Sequence, residues 1–399
     1  MESNKHMDVT ESPTNSAEPI MTDKEIPVDK NEPPAPDASV EAEPWGAAGV
    51  AAALIDDAGA ADSAPPAAPA DPALVPTPKP YSAPQPRRIT VLAGGSSGER
   101  EVSLNSGRNS AQALRSAGHQ VSELDTADAD FLAKLQADRP DVVFLALHGK
   151  YGEDGTIQGM LEFVGLPYTG SGVLASALAM DKLRSKVFYR NAGLETPDYV
   201  VITPNMTGLD TAQRFIERFN LPCVVKPTTD GSSLGISVVR DSDDLPAALD
   251  KAFAVSQTIM LERFISGTEI TVPVIGTNEV TALPVIEIVP IVSDFYDYEA
   301  KYADGGSDHI IPARLPQGVL SHAQEQAVRA HKALGCAGMS RSDFIVDALG
   351  TPWILETNTI PGMTATSLLP DSARHAGIEA GELYTRIVEW AIALHGQRS

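Results

Sequence analysis

The sequence predicts an α/β protein with a parallel sheet first and α+β blocks behind it. Three observations carry that expectation. From Arg87 the chain alternates strand and helix; further on, short strands are separated mostly by turns; and the leading segment is too polar and proline-rich to fold. The 399 residues are 43% hydrophobic, enough for two or three cores.

Residues 1–86 hold 16 of the 31 prolines, and 15 acidic residues against 4 lysines and no arginine. Runs such as "NEPPAPDAS" and "DSAPPAAPADPALVPTPKP" cannot bury enough apolar surface to offset ordering entropy. We expect a disordered tail, in which "WGAAGVAAALIDDA" is the one stretch with helical character.

After it, "RRITVLAGG" is a strand entering a glycine turn, and "SLNSGRNSAQALRSAG" has helical spacing ending at glycine. "VSELD" and "DVVFLAL" are further strands with a helix between them, and sequential β-α-β units of this length give a parallel sheet. One helical run, "SGVLASALAMDKLRSKVFYRNAGL", leads through "ETPDYVVI" to a second block. There "LPCVVKP", "GISVVR", "TIMLERF" and "EITVPVIG" are short strands with antiparallel pairing, joined by turns and the helix "SDDLPAALDKAFA". A third block holds the strands "ALPVIEIVP", "MSRSDFIVD" and "PWILETN" and the helix "SHAQEQAVRAHKALG".

The formal charge of −23, without a polybasic run, argues against nucleic-acid or anionic-membrane binding. No apolar run reaches the ~20 residues of a membrane helix, and the amino terminus has no signal-peptide core, so a cytoplasmic protein is expected. Cys223 and Cys336, far apart in apolar runs, read as buried reduced thiols.

Six stretches bear chemistry. In "VVKPTTDGSSLGISVV" Lys226 ends a strand, and the following loop with Ser232 and Ser233 is either a polar hairpin or an anion cradle of backbone N–H groups. In "IMLERFISGTEITV", Glu262 and Glu269 flank Arg263, Phe264 and Ile265. That is a solvated strand-loop-strand or an apolar slot with a hydroxyl acceptor beside it. "WILETNTIPGMTATSLLP" places Glu356 and Asn358 two apart at a strand end. By strict alternation Ile354, Glu356 and Asn358 share one face. Asp343 alternates with apolar residues on its own strand, with Arg341 on the same side. Asp343, Glu356 and Asn358 are hard oxygen donors suited to Mg²⁺ bridging phosphates, or else polar strand ends facing water. "GGSSGEREVSLNSG" is a glycine-rich strand-to-helix turn that fails the dinucleotide spacing, with Glu99 beside the helix start. "LALHGKYGEDGTIQG" puts His148 at a strand end, and "FYDYEAKYADGG" holds Lys301 and Tyr302 in a loop.

Taken in order and spacing, "GEREVSLNSG", "LHGKYGEDGTIQGMLE", "GLPYTGSGVLASALAMDKLRSK", "VVKPTTDGSSLGIS", "FYDYEAKY" and "ETNTIPGMTATSL" resemble the D-alanine–D-alanine ligase family of ATP-grasp enzymes. The resemblance spans residues 88–389. It implies an ATP-grasp fold with a Rossmann-like parallel-sheet domain at 87–182, a central ATP-grasp subdomain at 183–266 and a catalytic domain at 267–399. It implies ATP as co-substrate, two Mg²⁺ or Mn²⁺ ions, D-alanine as substrate, and a homodimer. Residue by residue, Lys182 and Lys226 resemble the lysines that neutralise nucleotide phosphates, under a loop bearing Ser232 and Ser233. Glu262, Arg263, Phe264 and Ile265 resemble the adenine strand, Glu269 the ribose contact, and Asp343, Glu356 and Asn358 the metal ligands. Glu99 resembles the acceptor of the first substrate's ammonium, with His148 beside it. Arg341 and the N–H of Gly362 resemble the oxyanion stabilisers, and Ser367, Leu368 and Lys301 the grip on the second carboxylate. Glu99, Ser232 and Tyr302 resemble the family's hydrogen-bonded closure. Two departures stand out: "SRSDF" lacks the usual glycine-arginine start, and Tyr151 is bulky for its loop. The retained Lys301–Tyr302 pair favours a dipeptide product over an ester formed with D-lactate, and the full ligand set favours an enzyme over a non-catalytic scaffold.

Overall fold

A computed structural model of the chain describes residues 84–203, 208–229, 235–291 and 307–398. The expected tail lies outside these residues up to position 83, as do Ser232, Ser233, Lys301 and Tyr302.

Strand β1 (Arg88–Ala93) is buried along all but its first residue, as a strand covered on both faces must be. Helix α1 (Arg100–Ser116) follows, then β2 (Gln120–Asp125), α2 (Phe131–Asp138), β3 (Val142–Leu145) and α3 (Thr156–Val164). The strands form the expected parallel sheet in the order β2-β1-β3. Helix α1 lies close on β1 at Gly107, where a Cβ would come within 2.5 Å of Ala93 Cβ. That approach sets how closely α1, with Glu99 as its N-cap residue, lies on the sheet.

The single helix expected over the next stretch is two helices, α4 (Val173–Met180) and α5 (Lys182–Asn191). Asp181 breaks them: its backbone is extended, and its Oδ1 accepts from the N–H groups of Leu183 and Arg184, both at 3.0 Å. An N-cap aspartate therefore starts a fresh helix at Lys182.

Strand β4 (Tyr199–Ile202), helix α6 (Gly208–Phe219), strands β5 (Cys223–Pro227) and β6 (Ser237–Val239), helix α7 (Leu245–Phe253) and strand β7 (Ile259–Arg263) come next. They form an antiparallel sheet, order β4-β7-β5-β6, over its own apolar core.

The third sheet takes β8 (Thr268–Gly276), β9 (Val280–Ala282), β10 (Ile286–Pro290), β11 (Ser307–Ile310), β12 (Gly338–Val346) and β13 (Pro352–Asn358) in the order β11-β10-β8-β12-β13, with β9 against β8. Helix α8 (Gln317–Leu334) packs on it. "EITVPVIG", grouped above with the second block, is thus the centre of the third sheet. "ALPVIEIVP" is two strands, interrupted near Pro284, which has no N–H for a ladder. Helices α9 (Leu368–His375) and α10 (Ala380–Arg398) close the chain. Helix α10 packs on α1, and Arg87 at the head of β1 forks onto Glu389 with two 2.8 Å bonds. One core joins the parallel sheet to Met339, Met363 and Tyr384, carrying the loop after β13 towards the loops of the first sheet. Both cysteines are buried and unbridged. Among the described residues, no helix is long and apolar enough to cross a membrane.

Candidate active site

Strict alternation on β13 fails at one residue. Opposite β12 the register runs Asp343↔Glu356 and then Phe344↔Ile354, so Leu355 is an extra residue in a bulge. Ile354 is buried, but beyond the bulge it is Thr357 that turns inwards. Glu356 and Asn358 therefore share a face with each other and not with Ile354, contrary to the sequence expectation.

The consequence is a square of functional groups. Asp343 stands opposite Glu356, and Arg341 opposite Asn358. Arg341 closes a two-pronged pair on Asp343, Nε to Oδ1 and Nη2 to Oδ2, both 2.9 Å. Thr271 Oγ1 from β8 donates to Asp343 Oδ1 at 2.5 Å. Lys182 Nζ reaches Glu356 Oε2 at 3.2 Å, and Asn358 Oδ1 accepts from the N–H of Ile360 at 2.8 Å. Beneath the square, Thr357 Oγ1 meets Ser342 Oγ and Tyr189 OH, each at 2.8 Å, which pins the two strands. The buried Asp343 carboxylate needs compensation, which the Arg341 guanidinium supplies, while Lys182 pairs with the half-exposed Glu356.

Among the described residues there is no group of three or more His, Cys, Asp or Glu side chains placed to hold a metal. The square offers two carboxylates and an amide, a donor set that suits a hard cation completing its shell with phosphate oxygens and water. The chemistry of these donors fits Mg²⁺ or Mn²⁺.

A second cluster lies at the start of α5. The N–H of Lys182 bonds to Thr228 O at 2.9 Å, bringing Lys182 beside the end of β5. Lys226 Nζ, also on β5, meets Glu262 Oε1 at 2.6 Å, and Lys186 Nζ meets Glu262 Oε2 at 2.5 Å. Burial works to raise the Glu262 carboxyl, but the two lysines outweigh it and hold it below the usual range. Its side chain thus faces ammonium groups, while the residues after it open onto a cleft: Arg263, Phe264 and Ile265 line it with Asp347, Leu349 and Trp353. The Arg263 guanidinium lies 5.4 Å from the Trp353 ring centre. Glu269 sits half-buried near the start of β8, opposite Ile345.

The third group comes from the first sheet. Glu99 is the N-cap residue of α1 and is buried. His148 Nε2 meets Ser106 Oγ at 2.9 Å, and Ser106 Oγ accepts from the N–H of Met363 at 3.3 Å, linking α1, the loop after β3 and the loop after β13. Burial pushes His148 down to about 4, so the imidazole is neutral near pH 7. Burial, and next the Glu99 charge, holds the Glu153 carboxyl well above its ordinary range. Glu153 Oε2 accepts from the N–H of Gly149 at 2.5 Å, and Gly149 is positive in φ with Glu99 Oε2 where a Cβ would stand. Only glycine fits there. Arg341 bears on both His148 and Glu153, and Glu356 on Glu153, so these loops face the square.

After the square, a Cβ on Gly362 would meet Ser367 Oγ at 2.8 Å, and that hydroxyl accepts from the N–H of Thr364 at 2.9 Å. Ser367 is the N-cap of α9. The Leu368 side chain is core, packed with Ile286 and Ile288, which leaves its N–H at the helix start as its polar contribution. Sequence reading did not single out Glu153, Lys186, Ser106 or Thr271. The only signal for Lys186 was its place one helical turn after Lys182.

A parallel-sheet domain followed by two antiparallel sheets, with Lys182 at the start of α5 set against Glu356 of the third sheet, defines the ATP-grasp class. The D-ala D-ala ligase C-terminus family model matches residues 188–389, and the D-ala D-ala ligase N-terminus model residues 123–171. The D-alanine–D-alanine ligase of Pelotomaculum thermopropionicum is 47% identical over 315 residues, 78% of this chain and 98% of that protein. That of Gloeobacter violaceus is 46% identical over 302 residues, 76% and 98%. Among solved structures, the Bacillus anthracis D-alanine–D-alanine ligase complexed with ATP aligns with a TM-score of 0.68 at 34% identity, covering 79% of this chain and 100% of that one. A D-Ala:D-Ser ligase from Enterococcus faecalis aligns at 0.65 and 30%, covering 77% and 100%. The chain belongs to the D-alanine–D-alanine ligase family.

Proposed function

We propose that this enzyme joins two D-alanine molecules into D-alanyl-D-alanine for peptidoglycan precursor synthesis, converting ATP to ADP and phosphate. The observation that carries it is the square of Arg341, Asp343, Glu356 and Asn358 with Lys182 upon it. In the reaction, a carboxylate oxygen of the first D-alanine attacks the γ-phosphorus and ADP leaves, giving an acyl phosphate. The amine of the second then attacks that carbonyl, loses a proton, and phosphate departs. The chain supplies no covalent nucleophile, so positioning and electrostatics do the work.

Lys182 and Lys226 hold the phosphates, covered by the loop with Ser232 and Ser233. Arg263, Phe264 and Ile265 receive the base, with Glu262 steering Lys226, and Glu269 receives the ribose. Glu99 accepts from the first ammonium, and neutral His148 sits beside it without adding repulsion. Arg341 and the N–H of Gly362 stabilise the oxyanion. Ser367, the N–H of Leu368 and Lys301 take the second carboxylate. Asp343, Glu356 and Asn358 would hold two Mg²⁺ or Mn²⁺ ions, whose charge offsets that of the phosphates. Closure by Glu99, Ser232 and Tyr302 keeps water from the acyl phosphate. We divide the folded chain into parts at 87–182, 183–266 and 267–399.

Phosphate release tests the substrate assignment. D-alanine with ATP is expected to support turnover, with D-lactate or D-serine substituting poorly as second substrate near neutral pH. Efficient ester formation at that pH contradicts the dipeptide assignment.

We also propose a homodimer. Phe163 on α3 is 92% exposed and Leu174 on α4 is 72% exposed, on two helices that pack together. These two exposed apolar side chains on neighbouring helices offer a surface for a second copy of the chain. Sedimentation should give a dimer, and Phe163→Asp with Leu174→Asp a monomer; an unchanged mass contradicts this surface.

A further inference from the structure

Lys186 has no place in the roles assigned above, yet its burial is complete. It lies on α5 one turn beyond Lys182, with an exposure of 0%. Its Nζ donates to Thr196 Oγ1 at 2.6 Å and to Pro197 O at 3.3 Å, meets Glu262 Oε2 at 2.5 Å, and sits 5.5 Å from the centre of the Tyr199 ring. Glu262 in turn holds Lys226 through its other oxygen at 2.6 Å. Two ammonium groups and one carboxylate thus sit together, with Lys186 sealed from water and Lys226 still 7% exposed.

We infer that Lys186 is a positioning residue for the nucleotide: it neutralises Glu262 inside the fold, so that the Lys186–Glu262–Lys226 cluster keeps a net positive charge facing the phosphates. This deepens the reading of Lys226 as a phosphate ligand and rests on it. Without Lys186 the carboxylate would cancel Lys226, and a phosphate approaching the end of β5 would meet a neutral pair. Holding α5 to the sheet does not require this charge. Tyr189, also on α5, already donates to Thr357 Oγ1 of β13 at 2.8 Å, and a buried charge costs more than an apolar side chain of equal length.

The charged and titratable groups around Lys186 are Glu262, Lys226 and Arg190. Arg190 is itself paired with Asp198 at 3.3 Å, and the Tyr199 phenol is raised by burial and stays neutral. Burial lowers Lys186 to about 8, with Glu262 opposing and Lys226 and Arg190 assisting. A bound polyanion favours the protonated form. Affinity is therefore full below about pH 8 and falls as pH rises through that value, and binding takes up protons in that window.

The test is calorimetric titration of the full chain with Mg·ADP from pH 7 to 9, in two buffers of different ionisation enthalpy. The wild-type protein should take up protons near pH 8, its Kd rising about tenfold across the range. Lys186→Met should bind about tenfold more weakly at pH 7, with a flat pH profile and no proton uptake. A merely structural lysine would alter the melting temperature and leave the proton uptake intact. Lys226→Met separates the two readings. If it is weak while Lys186→Met binds normally, the inference about Lys186 is wrong and the phosphate role of Lys226 stands. If Lys226→Met binds normally, both fall. Should Lys186→Met fail to fold, the wild-type profile decides, and the absence of proton uptake overturns the inference.

Discussion

Glu356→Ala is expected to fold and to lose about a thousandfold or more in kcat. Glu356 stands on the open side of the sheet, 30% exposed, so trimming it leaves no cavity in the core. What it removes is one of two carboxylates in the square and the counter-charge to Lys182, while Asp343 and Asn358 keep their partners. Phosphate release measures the first effect and thermal unfolding the second. Near-normal turnover in the variant would remove this carboxylate from the ion site.

Arg341→Met should behave differently, losing both activity and stability. The guanidinium makes a fork on Asp343, and both side chains are well buried. Breaking a buried pair from one side leaves a carboxylate without compensation and costs about 3 kcal/mol or more. Removing a preorganised donor to the oxyanion lowers kcat by about 10²–10³. Arg341→Lys separates the effects. It keeps a charge near Asp343 but not the planar fork, so stability should recover more than kcat. Equal recovery of both would argue that Arg341 serves the fold alone.

Much of this was legible in the chain, for identifiable reasons. Parallel pairing of the first sheet follows from β-α-β spacing, and the position of Asp343 and Arg341 on one face follows from a period of two on a regular strand. The bulge at Leu355 left no mark on the pattern, because a bulge is a property of two strands in register. The break at Asp181 was written in an N-cap aspartate, yet the helical spacing on both sides read as one helix. Lys186 and Glu153 escaped because their meaning depends on partners distant in sequence: Glu262 for the first, Glu99 for the second. "EITVPVIG" was placed with its neighbours in sequence, whereas its ladder is made with β12, some seventy positions on. The residues read on the two loops, Ser232, Ser233, Lys301 and Tyr302, lie outside the described part of the chain.

The central claim is that Asp343, Glu356 and Asn358 hold divalent cations against the phosphates of ATP. Anomalous diffraction from crystals grown with Mn²⁺ and a non-hydrolysable ATP analogue tests it most directly. The account predicts manganese peaks about 2.2 Å from oxygens of all three side chains, bridging to phosphate. Peaks elsewhere, or nucleotide bound with these three side chains turned from any ion, would contradict it.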